Sequence, residues 1–108
     1  MPQLAVFTKL PPEVTSVCQL PAGFKAQPLG SRAEVLSLIA ELCPDADFSD
    51  PALVTWNRGS AQVEFILGEN DPLESVQVRR PTNDVLRRFC QRTGWRAVDP
   101  MSDIIALD

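Results

Sequence analysis

Three closely spaced aspartates, Asp45, Asp47 and Asp50, have the residue type and spacing that would suit a calcium site. Carboxylate oxygens at alternate positions are the ligands that an EF-hand loop offers to Ca²⁺. A loop of that kind beginning at Asp45 requires glycine in place of Asp50 and glutamate in place of Trp56, and the chain has neither. We therefore expect no metal here, and instead a turn-rich loop over residues 45–51 whose aspartates accept hydrogen bonds.

Further carboxylates follow along the chain at Glu64, Glu69, Asp71 and Glu74, and any pair of them could in principle perform acid–base chemistry. Nothing in their local sequence predicts burial or a raised pKa. The chain has no histidine, which excludes Ser-His-Asp and Cys-His catalysis and histidine metal sites. The sequence predicts a non-enzymatic protein without cofactor, and an enzyme that uses carboxylates alone is one alternative.

The three cysteines, Cys18, Cys43 and Cys90, are widely spaced and form no Cys-x-x-Cys motif. An odd number of cysteines without a metal-binding spacing is typical of reduced thiols. The N-terminal residues show no signal peptide, and no apolar run approaches the 18 residues of a membrane span. A cytoplasmic protein that does not associate with membranes is expected.

Charge is distributed unevenly along the chain, which has 10 basic and 14 acidic residues and a net charge of −4. Residues 45–74 hold seven acids and only one base, Arg58. Six arginines lie in the C-terminal third: Arg79, Arg80, Arg87, Arg88, Arg92 and Arg96. These arginines either pair with acids of the same domain or form a basic patch on a helix. The overall acidity argues against nucleic acid as a partner, because nucleic-acid binding relies on a basic surface.

Two helices are indicated by their capping residues and apolar periodicity. Ser31 and Glu34 form a capping box, and the helix that starts there ends at Pro44. A second helix is predicted over Asn83–Thr93, with Gly94 as its C-terminal cap.

Strand signals alternate with turn residues over the rest of the chain. They lie at residues 3–8, 53–56, 61–67, 73–80 and 95–98, with a closing segment at 104–107. Residues 57–60 predict a hairpin turn in which Gly59 can adopt a positive φ. Residues 13–30 are expected to form a loop, with a short strand near Val14–Cys18. The three central strands should form a meander.

These elements predict a single α+β domain over residues 1–108, with a mainly antiparallel sheet of about five or six strands and two helices packed on one face. Both helices have one apolar stripe, and a sheet with one apolar face buries both stripes at once.

Trp56 and Arg58 are of the residue types that dominate protein-binding hot spots. If Trp56 is exposed beside Arg58 and the acidic loop, it would be an anchor for a protein partner. A core position is the alternative for this side chain.

Four segments of the chain together resemble a known group of proteins: GSRAEV at 30–35, CPDADFSDP at 43–51, VEFILG at 63–68 and TGWRA at 93–97. Over about residues 29–99 they look like small uncharacterised bacterial proteins, some of which are similar to immunity proteins that neutralise a cognate secreted toxin. The resemblance implies a stable inhibitor with no chemistry of its own. It carries over no functional residue.

We therefore expect a domain that binds another protein, such as a cognate toxin, through its acidic loops. The residues expected at that surface are Asp45, Asp47, Asp50, Trp56, Arg58, Glu69, Asp71 and Glu74. The alternative is a regulatory or nucleic-acid-associated module that uses the arginine-rich second helix. The sequence specifies no oligomeric state.

Overall fold

The computed structural model describes residues 4–11, 13–25, 27–58 and 61–105. Within these residues, six strands form one antiparallel sheet, accompanied by two α-helices and one short 3₁₀-helix. The strands are β1 (Leu4–Thr8), β2 (Asp47–Asp50), β3 (Leu53–Arg58), β4 (Ala61–Ile66), β5 (Val76–Arg79) and β6 (Arg96–Val98). The helices are α1 (Arg32–Leu42) and α2 (Asn83–Thr93), and the 3₁₀-helix spans Val17–Gln19. The predicted α+β class is confirmed.

The strand order is β2-β3-β4-β5-β1-β6, and every neighbouring pair is antiparallel. The predicted meander is present as β3-β4-β5. β1 occupies an interior position, where Phe7 pairs with Val76 of β5 and with Ala97 of β6. The closing hairpin is present as a bridge between Val98 and Ile104. Residues 106–107 of that prediction and Gly59 of the predicted turn lie outside the described residues.

The predicted loop over residues 45–51 is wrong at residues 47–50, which form the edge strand β2. β2 pairs with β3 through Asp47–Thr55 and Asp50–Leu53, with a shift of register between the two pairs. Aspartate is depleted in strands, so local preference favoured a loop. Pairing with the open edge of β3 overrides that preference.

One face of the sheet and one side of each helix form a common hydrophobic core. Along β1, Ala5 and Phe7 are buried while Leu4, Val6 and Thr8 are half-buried, as the period of two requires. α1 contributes Val35 and Ile39, and α2 contributes Val85, Leu86 and Phe89. Both helices therefore pack on the same face of the sheet, as predicted.

Side chains cap both helices as the sequence predicts. Ser31 Oγ accepts a hydrogen bond from the Glu34 amide at 3.1 Å, and Glu34 Oε1 accepts one from the Ser31 amide at 3.0 Å. The Ser31 amide hydrogen bond is the main reason that the pKa of Glu34 is lowered. At α2, Thr82 caps the Val85 amide at 3.2 Å, and Gly94 has the left-handed φ of 80°.

The predicted short strand near Val14–Cys18 is wrong, because this segment contains the 3₁₀-helix. Ser16 Oγ accepts from the Cys18 amide at 3.2 Å, and Asp103 Oδ1 accepts from the Val17 amide at 2.8 Å. Side chains therefore satisfy amides that a strand would have offered to a neighbouring strand.

Asp103 joins this N-terminal loop to the C-terminal hairpin. Besides the Val17 amide, its carboxylate accepts from the Ser16 hydroxyl at 2.6 Å and from the Ile104 amide at 2.7 Å. These bonds, that from Ser16 first, favour the ionised carboxylate and lower the pKa of Asp103.

The Asp103→Asn variant is expected to have a lower Tm than the wild type at pH 7. Because the pKa is lower in the folded state than in the unfolded state, ionised Asp103 stabilises the fold above the ordinary aspartate pKa of about 4. This contribution is lost as the pH falls through the folded-state pKa. Thermal unfolding between pH 7 and pH 3 should therefore show the two proteins converging at acid pH. Glu13→Gln, an exposed control, should follow the wild type throughout; a constant Tm difference for Asp103→Asn would contradict the assignment.

Candidate protein-binding surface

Two loops meet at one end of the sheet, one directly after Asp50 and the other containing Glu69, Asp71 and Glu74. The β2–β3 turn at residues 51–52 and the β4–β5 connection at residues 67–75 lie together because Leu53 of β3 pairs with Ile66 of β4. The Ala52 carbonyl accepts from the amides of Leu67 at 2.8 Å and Gly68 at 3.4 Å. Backbone hydrogen bonds thus fix the two loops side by side.

Arg32, the first residue of α1, connects both loops to the helix through hydrogen bonds. Its guanidinium donates to the carbonyl oxygens of Pro51 at 2.8 Å, Gly68 at 2.6 Å and Asn70 at 2.8 Å. Its amide donates to Asp71 Oδ1 at 3.0 Å. The planar guanidinium has several N–H donors, so this one side chain can hydrogen-bond carbonyl oxygens from both loops at once.

Four carboxylates, all on exposed residues, surround this junction, and we call their surface the acidic end. They are Asp50, Glu69, Asp71 and Glu74. The Asp50 carboxylate also accepts from the Ala52 amide at 2.9 Å. Beside Glu74 lies a cavity of about 220 Å³. It is smaller than the roughly 300–1,000 Å³ typical of small-molecule sites, and so suits a side chain of a protein partner better.

The other two predicted aspartates do not lie at the acidic end. Asp47 is on the edge strand and pairs with Thr55, towards the middle of β3, and Asp45 is in the connection between α1 and β2. Asp47 Oδ1 accepts from the Ser49 amide at 2.9 Å, and hydrogen bonds to Ser49 lower the pKa of Asp47.

Trp56 is a core residue, only 8% exposed, so the exposed anchor considered for it does not exist. It lies opposite Val63 on the buried face of the sheet. Arg58 is the last residue of β3, away from the β2–β3 turn and hence from the acidic end. Of the eight predicted surface residues, the fold brings four together.

Sequence reasoning did not single out Arg32, which joins the acidic loops. A signal existed, because a cation in the first turn of a helix opposes the helix dipole and needs another partner. Its partners are backbone carbonyls distant in sequence, and no side-chain pattern identifies these.

Replacing Arg32 with alanine is expected to reduce the free energy of unfolding by about 1–2 kcal/mol, since hydrogen bonds to three carbonyls are lost at a partly hydrated site. Amide hydrogen exchange at residues 68–71 should accelerate. The free energy of unfolding of Arg32→Lys should lie between those of Arg32→Ala and the wild type, because one ammonium group cannot reproduce the planar set of donors of a guanidinium. Chemical denaturation measures the first effect. If Arg32→Ala cost no more than Arg88→Ala, which removes only an exposed pair, the role given to Arg32 would be wrong.

The carboxylates that line the cavity between the two helices already have hydrogen-bond or ion-pair partners. This cavity, about 640 Å³, lies between α1 and the end of α2, and Glu34 and Glu41 are in its wall. Glu34 belongs to the capping box, and Glu41 Oε2 is 2.9 Å from Arg92 Nε. The lowered pKa of Glu34 is the opposite of what a general acid needs at neutral pH. Among the described residues, no group of three or more histidine, cysteine or acidic side chains could hold a metal.

Several arginines of the C-terminal third pair with acids of the same domain, as one of the two alternatives predicted. Arg92 contacts Glu41, Arg88 Nε is 3.4 Å from Asp84 Oδ2, and Arg80 Nη1 is 3.5 Å from Glu64 Oε1. None of these three acids lies at the acidic end. These three arginines therefore do not pair with the carboxylates of the acidic end, where the guanidinium of Arg32 contributes one positive charge.

In the part of the chain that the structure describes, neither helix has the length and apolar character required to cross a membrane. Comparison of the chain with protein-family models, with curated proteins and with solved structures found no match.

Proposed function

We propose that this chain is a non-enzymatic domain that binds another protein through the acidic end. The observation that carries the proposal is the junction at Arg32, where one guanidinium holds two loops with exposed carboxylates in a single surface. A surface held in this way loses little conformational entropy on binding, which favours affinity.

The charge of this surface indicates the partner. Four exposed carboxylates on a protein of net charge −4 attract a basic surface and accelerate encounter at low salt. A basic toxin neutralised by an acidic immunity-type inhibitor has this complementarity. The resemblance to small uncharacterised bacterial proteins, some of which are similar to immunity proteins, points in the same direction, and we propose a bacterial toxin as the partner.

A cytoplasmic location belongs to the same proposal and rests on the cysteines. Cys43 is buried, and burial raises the pKa of the Cys90 thiol to about 11. None of the three cysteines forms a disulfide bond among the described residues. Reduced thiols persist in the reducing cytoplasm.

The proposal is tested with the tagged protein as bait in lysate of its native host, followed by crosslinking and mass spectrometry. The first variant is Glu69→Gln with Glu74→Gln, whose side chains make no hydrogen bond within the described residues, so folding should be preserved. The control is Glu13→Gln with Asp99→Asn, which removes the same charge elsewhere.

We expect a basic protein in the eluates of the wild type and the control, and less of that protein in the eluate of the variant with Glu69→Gln and Glu74→Gln. Loss of the partner with Arg88→Ala and Arg92→Ala, but not with the acidic-end variant, would transfer the function to α2. Retention of DNA or RNA at low salt that these arginine substitutions abolish would support the nucleic-acid alternative instead.

A further inference from the structure

A second cavity, of about 500 Å³, lies where the segment after β1 and the loop before α1 meet the C-terminal end of α2. We call it the two-lysine cavity. Its lining is Lys9, Leu10, Pro11, Phe24, Lys25, Gln27, Thr93 and Gly94. Lys9 and Thr93 also line the larger cavity between the helices, so the two cavities adjoin.

The charge of the two-lysine cavity is opposite to that of the protein. Lys9 and Lys25 are the only lysines in the chain, and none of the described residues that line the cavity carries a carboxylate. Neither ammonium group forms an ion pair with another residue in the described ranges. Lys9 also acts on the Glu34 carboxylate of the adjoining cavity, whose pKa it helps to lower. Two cations that form no ion pair in the described ranges still create a positive local potential beside the two-lysine cavity, which favours an anion.

The rest of the lining is largely apolar. Leu10, Pro11 and Phe24 are half-buried and present carbon surface to the cavity, while Gln27 adds an amide. The volume lies within the roughly 300–1,000 Å³ of sites for small organic ligands, which also combine apolar walls with a few polar groups.

We propose that the two-lysine cavity binds a small amphipathic organic anion. The carboxylate or another anionic head would contact Lys9 and Lys25, and the apolar body would pack against Phe24 and Leu10. Ionic attraction supplies preference for the anion, and burial of carbon surface supplies affinity. This site shares no residue with the acidic end, so the two proposals stand or fall separately.

The test uses the full chain and the fluorescent probe 1-anilinonaphthalene-8-sulfonate, which combines an aromatic body with an anionic group. We expect saturable fluorescence enhancement with one site per chain. Decanoate should displace the probe, and 1-decanol, of the same chain length without charge, should compete at least about fivefold more weakly. Unchanged near-ultraviolet circular dichroism in the presence of the probe confirms that the protein remains folded.

Lys25→Gln is the informative variant, and Arg79→Gln is its control. Each removes one positive charge, and Arg79 is exposed on the face of the sheet opposite the helices. Lys25→Gln should weaken decanoate binding about two- to fivefold, and the double change with Lys9→Gln about tenfold, whereas Arg79→Gln should leave it unchanged. Equal effects of Lys25→Gln and Arg79→Gln, equal competition by decanol, or absence of saturable binding would each overturn the proposal.

Discussion

Replacing Phe89 with alanine is expected to lower the free energy of unfolding by about 3–5 kcal/mol, the range for truncation of a buried aromatic side chain. The Phe89 side chain is only 1% exposed and lies at the centre of the aromatic core. Its ring centroid is 5.2 Å from that of Phe7, 5.4 Å from that of Phe65 and 6.4 Å from that of Trp95. Removing the ring therefore leaves a cavity between α2 and the sheet, and the free energy gained by burying the ring is lost as well.

Urea denaturation followed by circular dichroism measures this loss. The control is Phe48→Ala, which removes the same side chain from the edge strand β2, where Phe48 is 37% exposed. That change should cost less than about 1.5 kcal/mol, since the partly exposed ring contributes less burial. Equal losses at the two positions would mean that α2 does not pack on the sheet as described.

The elements that the sequence predicts correctly depend on neighbours in the chain. The capping box at Ser31 and Glu34 and the Gly94 cap bond within one helical turn, so their geometry follows from residue type. Alternation along β4 likewise distinguishes the buried Val63 and Phe65 from the more exposed Gln62, Glu64 and Ile66.

The elements that the sequence misses depend on residues far apart in the chain. β2 is a strand because β3 has an open edge, and the segment near Val17 is a 3₁₀-helix because Asp103 binds its amide. Alternation within a strand identifies neither partner.

The candidate surface follows the same division. Residue type identified the acids of the acidic end. They lie close together because β3 pairs with β4 and because Arg32 hydrogen-bonds both loops, and residue type predicts neither of these contacts. Trp56 illustrates the reverse case, because residue type suggested an interface while alternation along β3 places the side chain in the core.

Neutralising the acidic end is expected to slow partner association by about tenfold or more at low salt, within the range that electrostatic steering supplies. The changes are Asp50→Asn, Glu69→Gln, Asp71→Asn and Glu74→Gln. The two asparagines retain an oxygen that can accept from the amides of Ala52 and Arg32, so the loops should keep their conformation.

Stopped-flow or surface-plasmon-resonance measurements over a salt series give separate association and dissociation rate constants for the partner that the wild-type protein captures. The association rate of the wild type should fall steeply with salt, and that of the variant should depend on salt much less. Glu13→Gln with Asp99→Asn should change the association rate less than about twofold. An unchanged association rate for the variant with all four substitutions would show that the acidic end does not steer the partner.

The most direct test of the central claim is amide hydrogen exchange of the protein alone and in complex with that partner. Contact at the acidic end predicts slower exchange in the complex at residues 50–52 and 67–75, with little change along α2. Slower exchange confined to residues 83–93, with residues 50–52 and 67–75 unaffected, would contradict it.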